Sequence, residues 1–116
     1  MKIIIILLLI LLATGYCVIS YILAKTIVYP NVMSLEEERQ WIEDHKLVGN
    51  FDSYIKQNYK IKAYNDYEIN AQLVKADDVN SKKYVIISHG FRSNRNGAIK
   101  YVDVYHDLGY NVIIFY

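Results

Sequence analysis

The chain opens KIIIILLLILLATGYCVISYILAK, and between Lys2 and Lys25 it carries no charge from Ile3 to Ala24. In a helix rising about 1.5 Å per residue, that run spans a hydrocarbon core of about 30 Å. A cleaved signal peptide would take Ile3–Leu12 as its apolar region, with Ala13 and Gly15 as the small residues before the cut. The apolar pattern continues past that point through Val18, Ile19, Ile22 and Leu23, which favours an uncleaved anchor. A lipoprotein needs a small residue before its cysteine, and Tyr16 precedes Cys17. Lys2 and the amino terminus face Lys25 across the span, so the charge rule gives little bias. By analogy with signal anchors, the expectation is a single-pass membrane protein with its C-terminal part extracytoplasmic. The lipid partner contacts residues 3–24, and the anchor occupies 1–25.

The remainder is too short for more than one modest domain. Thirteen basic residues, counted as Lys+Arg 13, stand against Asp+Glu 12, so no basic field points to nucleic acid and no acidic tail to a solvating role. Cys17 is the one cysteine, which excludes an internal disulfide framework and a cysteine-based metal site. No two of His45, His89 and His106 have ligand spacing, so no metal is expected, and no cofactor.

Residues 26–53 read as a linker holding the one proline, Pro30, and a short helix. Ser34 with Glu37 three residues on forms a capping box, and Glu36, Glu37 and Glu38 suit the positive end of the helix dipole. Leu35, Trp41, Ile42 and Leu47 make a ragged apolar stripe, and the charges are expected on a solvated face. A helix meant for the membrane surface is normally basic, and this one is acidic.

From Asn58 the period becomes two. Tyr59, Ile61 and Ala63 alternate with Lys60 and Lys62, and Ile69, Ala71 and Leu73 alternate with Glu68, Asn70 and Gln72. The turn pair Asn65-Asp66 between them predicts an antiparallel hairpin with one solvated face. After the polar loop KADDVNSKK comes Tyr84–Ile87, a continuous apolar run expected of a strand covered on both faces. Ala98, Ile99, Val102, Tyr105 and Leu108 then recur at helical spacing, and Gly109 stands where a left-handed C-cap belongs. YNVIIFY is a further buried strand. Strand, loop, helix and strand make one βαβ unit, hence a parallel pair and an α/β class.

The loop YVIISHGFRSNRNG lies at the carboxyl end of the first of those strands, where open α/β sheets meet ligands. No G-x-G-x-x-G or G-x-x-x-x-G-K-[ST] is present, so dinucleotide and phosphate loops are excluded. There remains the loop after the third strand of an α/β-hydrolase, which supplies a backbone N–H of an oxyanion hole.

Residues 54–116, and most specifically Tyr84–Gly90 with Leu108–Val112, resemble the N-terminal part of the α/β-hydrolase superfamily. The nearest likeness is to bacterial membrane-anchored or cell-surface serine hydrolases. The resemblance implies an antiparallel hairpin leading into a mostly parallel sheet, and hydrolysis of an ester, thioester or amide through an acyl-enzyme. It makes the Phe91 main-chain N–H the oxyanion-hole donor and gives Gly90 and His89 the task of shaping the turn. The triad's general base lies further along in the family, so His89 is not the base. The substrate implied is a small ester or peptide-like molecule. Arg92 and Arg95 flank the site, as a solvated loop or as an anion subsite. Ser88 and Ser93 have no strained elbow around them, and neither reads as a nucleophile. His45 and His106 are read in helical segments among polar neighbours. In the family, G-x-S-x-G, the acid and the histidine follow later, and none is in this sequence. The expectation is a truncated first half of the fold, inactive alone. The alternative is a small membrane-tethered binding or structural protein completed by a partner chain.

Overall fold

The computed structural model describes residues 1–116 as two compact units, Met1–Asn31 and Val32–Tyr116. The first is a single helix, α1 (Lys2–Val28), about 40 Å long at 1.5 Å per residue. It is long and apolar enough to cross a membrane, and none of its residues is buried. Its two threonine hydroxyls are satisfied within the helix: Thr14 Oγ1 donates to the carbonyls of Ile10 and Leu11 at 3.0 and 2.9 Å, and Thr26 Oγ1 to Ile22 at 2.9 Å. A lipid environment requires that internal pairing.

The second unit begins with α2 (Leu35–Asp44). Its capping box is formed, with Ser34 Oγ accepting from the Glu37 N–H at 3.2 Å and the Glu37 carboxylate accepting from the Ser34 N–H at 2.8 Å. The hairpin follows as β1 (Lys56–Lys62) and β2 (Glu68–Val74), paired in the register Lys56↔Val74 through Lys62↔Glu68. Its turn holds Asn65 and Asp66 at φ 61° and 60°, a backbone region these two side chains tolerate. Then come β3 (Tyr84–Ile87), a 3₁₀ segment Arg95–Tyr101, α3 (Val102–Asp107) and β4 (Asn111–Phe115). Gly109 ends α3 at φ 78°, and its N–H bonds the His106 carbonyl at 2.8 Å.

The four strands form one mixed sheet in the order β1-β2-β4-β3. β2 runs antiparallel to β1 and β4, whereas β3 and β4 are parallel. β4 therefore fills the gap between the hairpin and β3 and places Val85 beside Val112 and Ile87 beside Ile114. Those residues and Val74 share the face that meets Ile42 of α2, Ala98, Ile99 and Val102 of the following helical segment, and Phe51. This is the core.

Both helical segments lie on that one face, which corrects the expectation for Tyr84–Ile87. Val85 and Ile87 pack inward, but Ile86 is 66% exposed and Tyr84 is exposed as well. A continuous apolar run signals absence of polar alternation, and it does not by itself supply a second layer. The hairpin behaves similarly: Tyr59 and Ile61 pair with Ala71 and Ile69 on the face away from the helices, and both are exposed. The helix read from Ala98 starts instead as 3₁₀ and becomes α only at Val102.

Candidate functional site

Ser88 to Asn94 connects β3 to the 3₁₀ segment at the carboxyl end of the parallel pair. The end of β4 lies alongside, with the Phe115 ring 6.4 Å from that of His89. The loop contains a tight turn closed by the Ser93 N–H donating to the Gly90 carbonyl at 3.2 Å. His89 Nδ1 lies 3.0 Å from the same carbonyl, so a proton on Nδ1 donates there and steadies the turn. Gly90 has open space around it and an ordinary φ. The left-handed residue is Arg92, at φ 63°, a conformation that costs a residue with a side chain about 1–2 kcal/mol. Between them stands Phe91. No backbone hydrogen bond engages its N–H, and its side chain is 70% exposed.

Beneath this turn sits a glutamate that the sequence reading assigned to a solvated face. Glu38 is only 6% exposed. Its carboxylate accepts from Ser93 Oγ at 2.5 Å and from the buried Asn94 N–H at 2.7 Å. Asn94 in turn donates through Nδ2 to the carbonyls of Met33 and Ser34, at 3.0 and 3.1 Å. Its Oδ1 accepts the Asn96 N–H, and Asn96 Nδ2 donates to the Leu35 carbonyl at 2.7 Å. Gly97 closes the arrangement, because a Cβ there would overlap Ser93 Oγ and the Glu38 carboxylate. The loop is thus bolted to the start of α2 by side chains at both ends. Glu38 lies three residues after Leu35 and four before Ile42, so its inward placement was readable from helical period alone.

A cavity of about 370 Å³ lies in front of the turn, lined among others by Met33, Trp41, His89, Phe91, Arg92 and Lys100. Arg92 and Lys100 are its cations, and Glu38, hydrogen-bonded beneath, is its carboxylate. Arg95 does not join Arg92: its guanidinium packs over the Tyr116 ring at 4.8 Å. The capping-box hydrogen bonds from Ser34, its backbone N–H first, hold the Glu37 carboxyl below its usual range. The serines differ too. Ser88 is exposed, whereas Ser93 is committed to Glu38.

A larger cavity, about 740 Å³, lies at the opposite end of the sheet beside Tyr84 and Asn111. Several of its polar groups tie the β2–β3 loop to the sheet. Asn111 donates to the Ser81 and Lys83 carbonyls and accepts from the Ala76 N–H. His106 lies in α3 as expected but is buried, with Asp77 Oδ1 3.7 Å from its Nε2. Its ring stacks on Tyr54 at 3.7 Å between centroids, with Nε2 3.0 Å from the Lys75 carbonyl. Burial, then the hydrogen bond and charge of Asp103, push the Tyr54 phenol up to about 12. The bonds of Asn111 make this end a structural clip for the β2–β3 loop. His45 stacks on Trp41 at 4.1 Å. No three His, Cys, Asp or Glu side chains gather into a metal-binding group.

Compared with known proteins, the chain matches no family model, no curated protein and no solved structure.

Proposed function

We propose that residues 32–116 present the oxyanion-binding loop of a membrane-anchored serine hydrolase of the α/β-hydrolase type. The observation that carries this is the Phe91 N–H, an unengaged main-chain donor at the carboxyl end of β3, held over a small cavity by a buried polar bolt. The neighbouring Arg92 backbone, strained at φ 63°, supports the reading, because such strain concentrates where a chain presents groups to a ligand. The hairpin followed by a β3–helix–β4 crossover supports it also.

In this mechanism a serine Oγ attacks the carbonyl carbon of an ester, thioester or amide and passes its proton to a base. The carbonyl π pair becomes an oxyanion, which accepts the Phe91 hydrogen bond. Collapse restores the carbonyl and expels the leaving group, which takes the proton from the base. Water then repeats the sequence on the acyl-enzyme. One donor of this kind contributes about 3 kcal/mol to the transition state. The part of residues 32–116 in this scheme is the oxyanion donor; the serine, base and acid are not assigned among them. Helix α1 serves as the single-pass anchor, with the C-terminal unit on the extracytoplasmic side.

The test is to treat native membranes with a fluorophosphonate probe and isolate this protein with an antibody to residues 32–116. The probe should be recovered on a serine of the isolated material. Isolation of the protein with no labelled serine on it or on anything co-purifying would overturn the proposal.

A further inference from the structure

Two features of the loop concern its surroundings rather than its chemistry. The first is covalent. The helix long and apolar enough to span a membrane ends at Val28, and Met33 is already bonded into the site. Its carbonyl accepts from Asn94 Nδ2 at 3.0 Å, and its N–H donates to the Arg92 carbonyl at 3.4 Å. Whatever course residues 29–32 take, a chain extending at most about 3.6 Å per residue keeps Met33 within about 18 Å of Val28. The second is the composition of the cavity mouth. Met33, Trp41, Phe91 and Tyr101 are all exposed around it, with Arg92 and Lys100 as its cations. Amphipathic aromatics beside basic side chains suit the boundary between acyl chains and anionic head groups.

We propose that the cavity in front of Phe91 opens on the membrane surface and takes an anionic, acyl-bearing lipid from the bilayer. The acyl part lies with Phe91, Trp41 and Met33, and the head group with Arg92 and Lys100. The carbonyl that would meet the Phe91 N–H is then the ester at the boundary between them. This names the substrate class of the hydrolase reading and rests on that reading for its chemistry, but the placement stands or falls separately.

Trp41 is the only tryptophan in the chain and lines this cavity, so it reports on the placement without any substitution. The full-length protein is reconstituted in vesicles of phosphatidylcholine with phosphatidylglycerol whose acyl chains are brominated at carbons near the head group. Trp41 emission should fall at least twofold relative to unbrominated vesicles, and less when phosphatidylglycerol is omitted. A reporter variant, Trp41→Phe with Tyr64→Trp, moves the fluorophore to the hairpin turn, where residue 64 is 88% exposed. Its emission should ignore bromine and respond to aqueous iodide. Trp41 emission indifferent to brominated lipid, equal quenching at both positions, or quenching independent of phosphatidylglycerol would each overturn the proposal. Fluorophosphonate capture is read independently. Its failure with Trp41 still quenched removes the acyl-transfer chemistry, and its success with Trp41 unquenched points to a water-soluble ester instead.

Discussion

Replacing Glu38 by alanine removes the centre of the bolt beneath the Phe91 loop. The wild-type carboxylate accepts from Ser93 Oγ at 2.5 Å and from the Asn94 N–H at 2.7 Å. Hydrogen bonds to a charged acceptor contribute about 1.5–3 kcal/mol each, and a buried donor left alone costs about 1–3 kcal/mol. Asn94 is 6% exposed, so its N–H does not recover a water partner easily. Relief from burying a charge without a cation offsets part of this loss. The net cost is about 3 kcal/mol. For a domain of about 60–100 residues, that lowers Tm by more than about 12 °C. Glu38→Gln supplies the control: its amide oxygen can accept from Asn94 while its NH₂ donates to the Ser93 hydroxyl. That variant should lose about 1 kcal/mol. The assay is thermal unfolding of the full-length chain in detergent micelles, followed by the near-ultraviolet circular dichroism of Trp41. A Glu38→Ala protein within about 0.5 kcal/mol of wild type, the range of an ordinary surface substitution, would refute the reasoning.

Gly97→Ala drives a methyl group into Ser93 Oγ and the Glu38 carboxylate and should cost about 1–3 kcal/mol. In the Glu38→Ala background the same change should cost measurably less, because one of its two obstacles is gone and Ser93 Oγ, no longer bonded to Glu38, can rotate away; full additivity in a double-mutant unfolding cycle would count against the contact. Asn111→Leu leaves the Ala76 N–H and the Ser81 carbonyl without their partner, while the Lys83 carbonyl keeps the backbone N–H of residue 111. A loss of about 2–3 kcal/mol is expected by denaturant unfolding, and an unchanged midpoint would contradict the clip. Tyr54, with its phenol pushed up from 10.0 to about 12, holds its proton more tightly folded than unfolded. Its contribution is therefore intact below about pH 10 and lost as pH rises from there through about 12. The ultraviolet difference titration between wild type and Tyr54→Phe should show one phenol ionising near pH 12, and a difference centred near pH 10 would refute it.

What could be read in advance were the features whose partners are close in the chain. The Ser34–Glu37 box, the Asn65-Asp66 turn and the Gly109 cap each close within a few residues, so local chemistry specifies them. The parallel pairing of β3 with β4 follows from a helical segment between two short apolar strands. The bolt could not be read so directly, because Glu38 and Ser93 are separated by fifty-odd positions, |i−j|=55. Helical period marks Glu38 as the inward one of the three glutamates, but it cannot name the loop that packs on it. The burial of His106 was hidden for the same reason: its stacking partner Tyr54 comes from the far side of the hairpin sequence. The exposure of Ile86 and Tyr84 was hidden because a run of apolar residues cannot say on which faces helices settle. Within the candidate site, the identity of the turn was legible, but its left-handed residue was not. Glycine was the natural choice for it, and Arg92 takes the role two positions later.

The central claim is that the Phe91 main-chain N–H receives the developing oxyanion, and removing that hydrogen alone tests it most directly. The rate of fluorophosphonate labelling is measured in membranes carrying wild-type protein, Phe91→Pro or Phe91→Ala, each checked for a native Trp41 spectrum. Proline deletes the donor and alanine keeps it. Labelling should slow by about 10²–10³ in Phe91→Pro and change little in Phe91→Ala. Equal rates for Phe91→Pro and wild type, in protein that retains its fold, would contradict the claim.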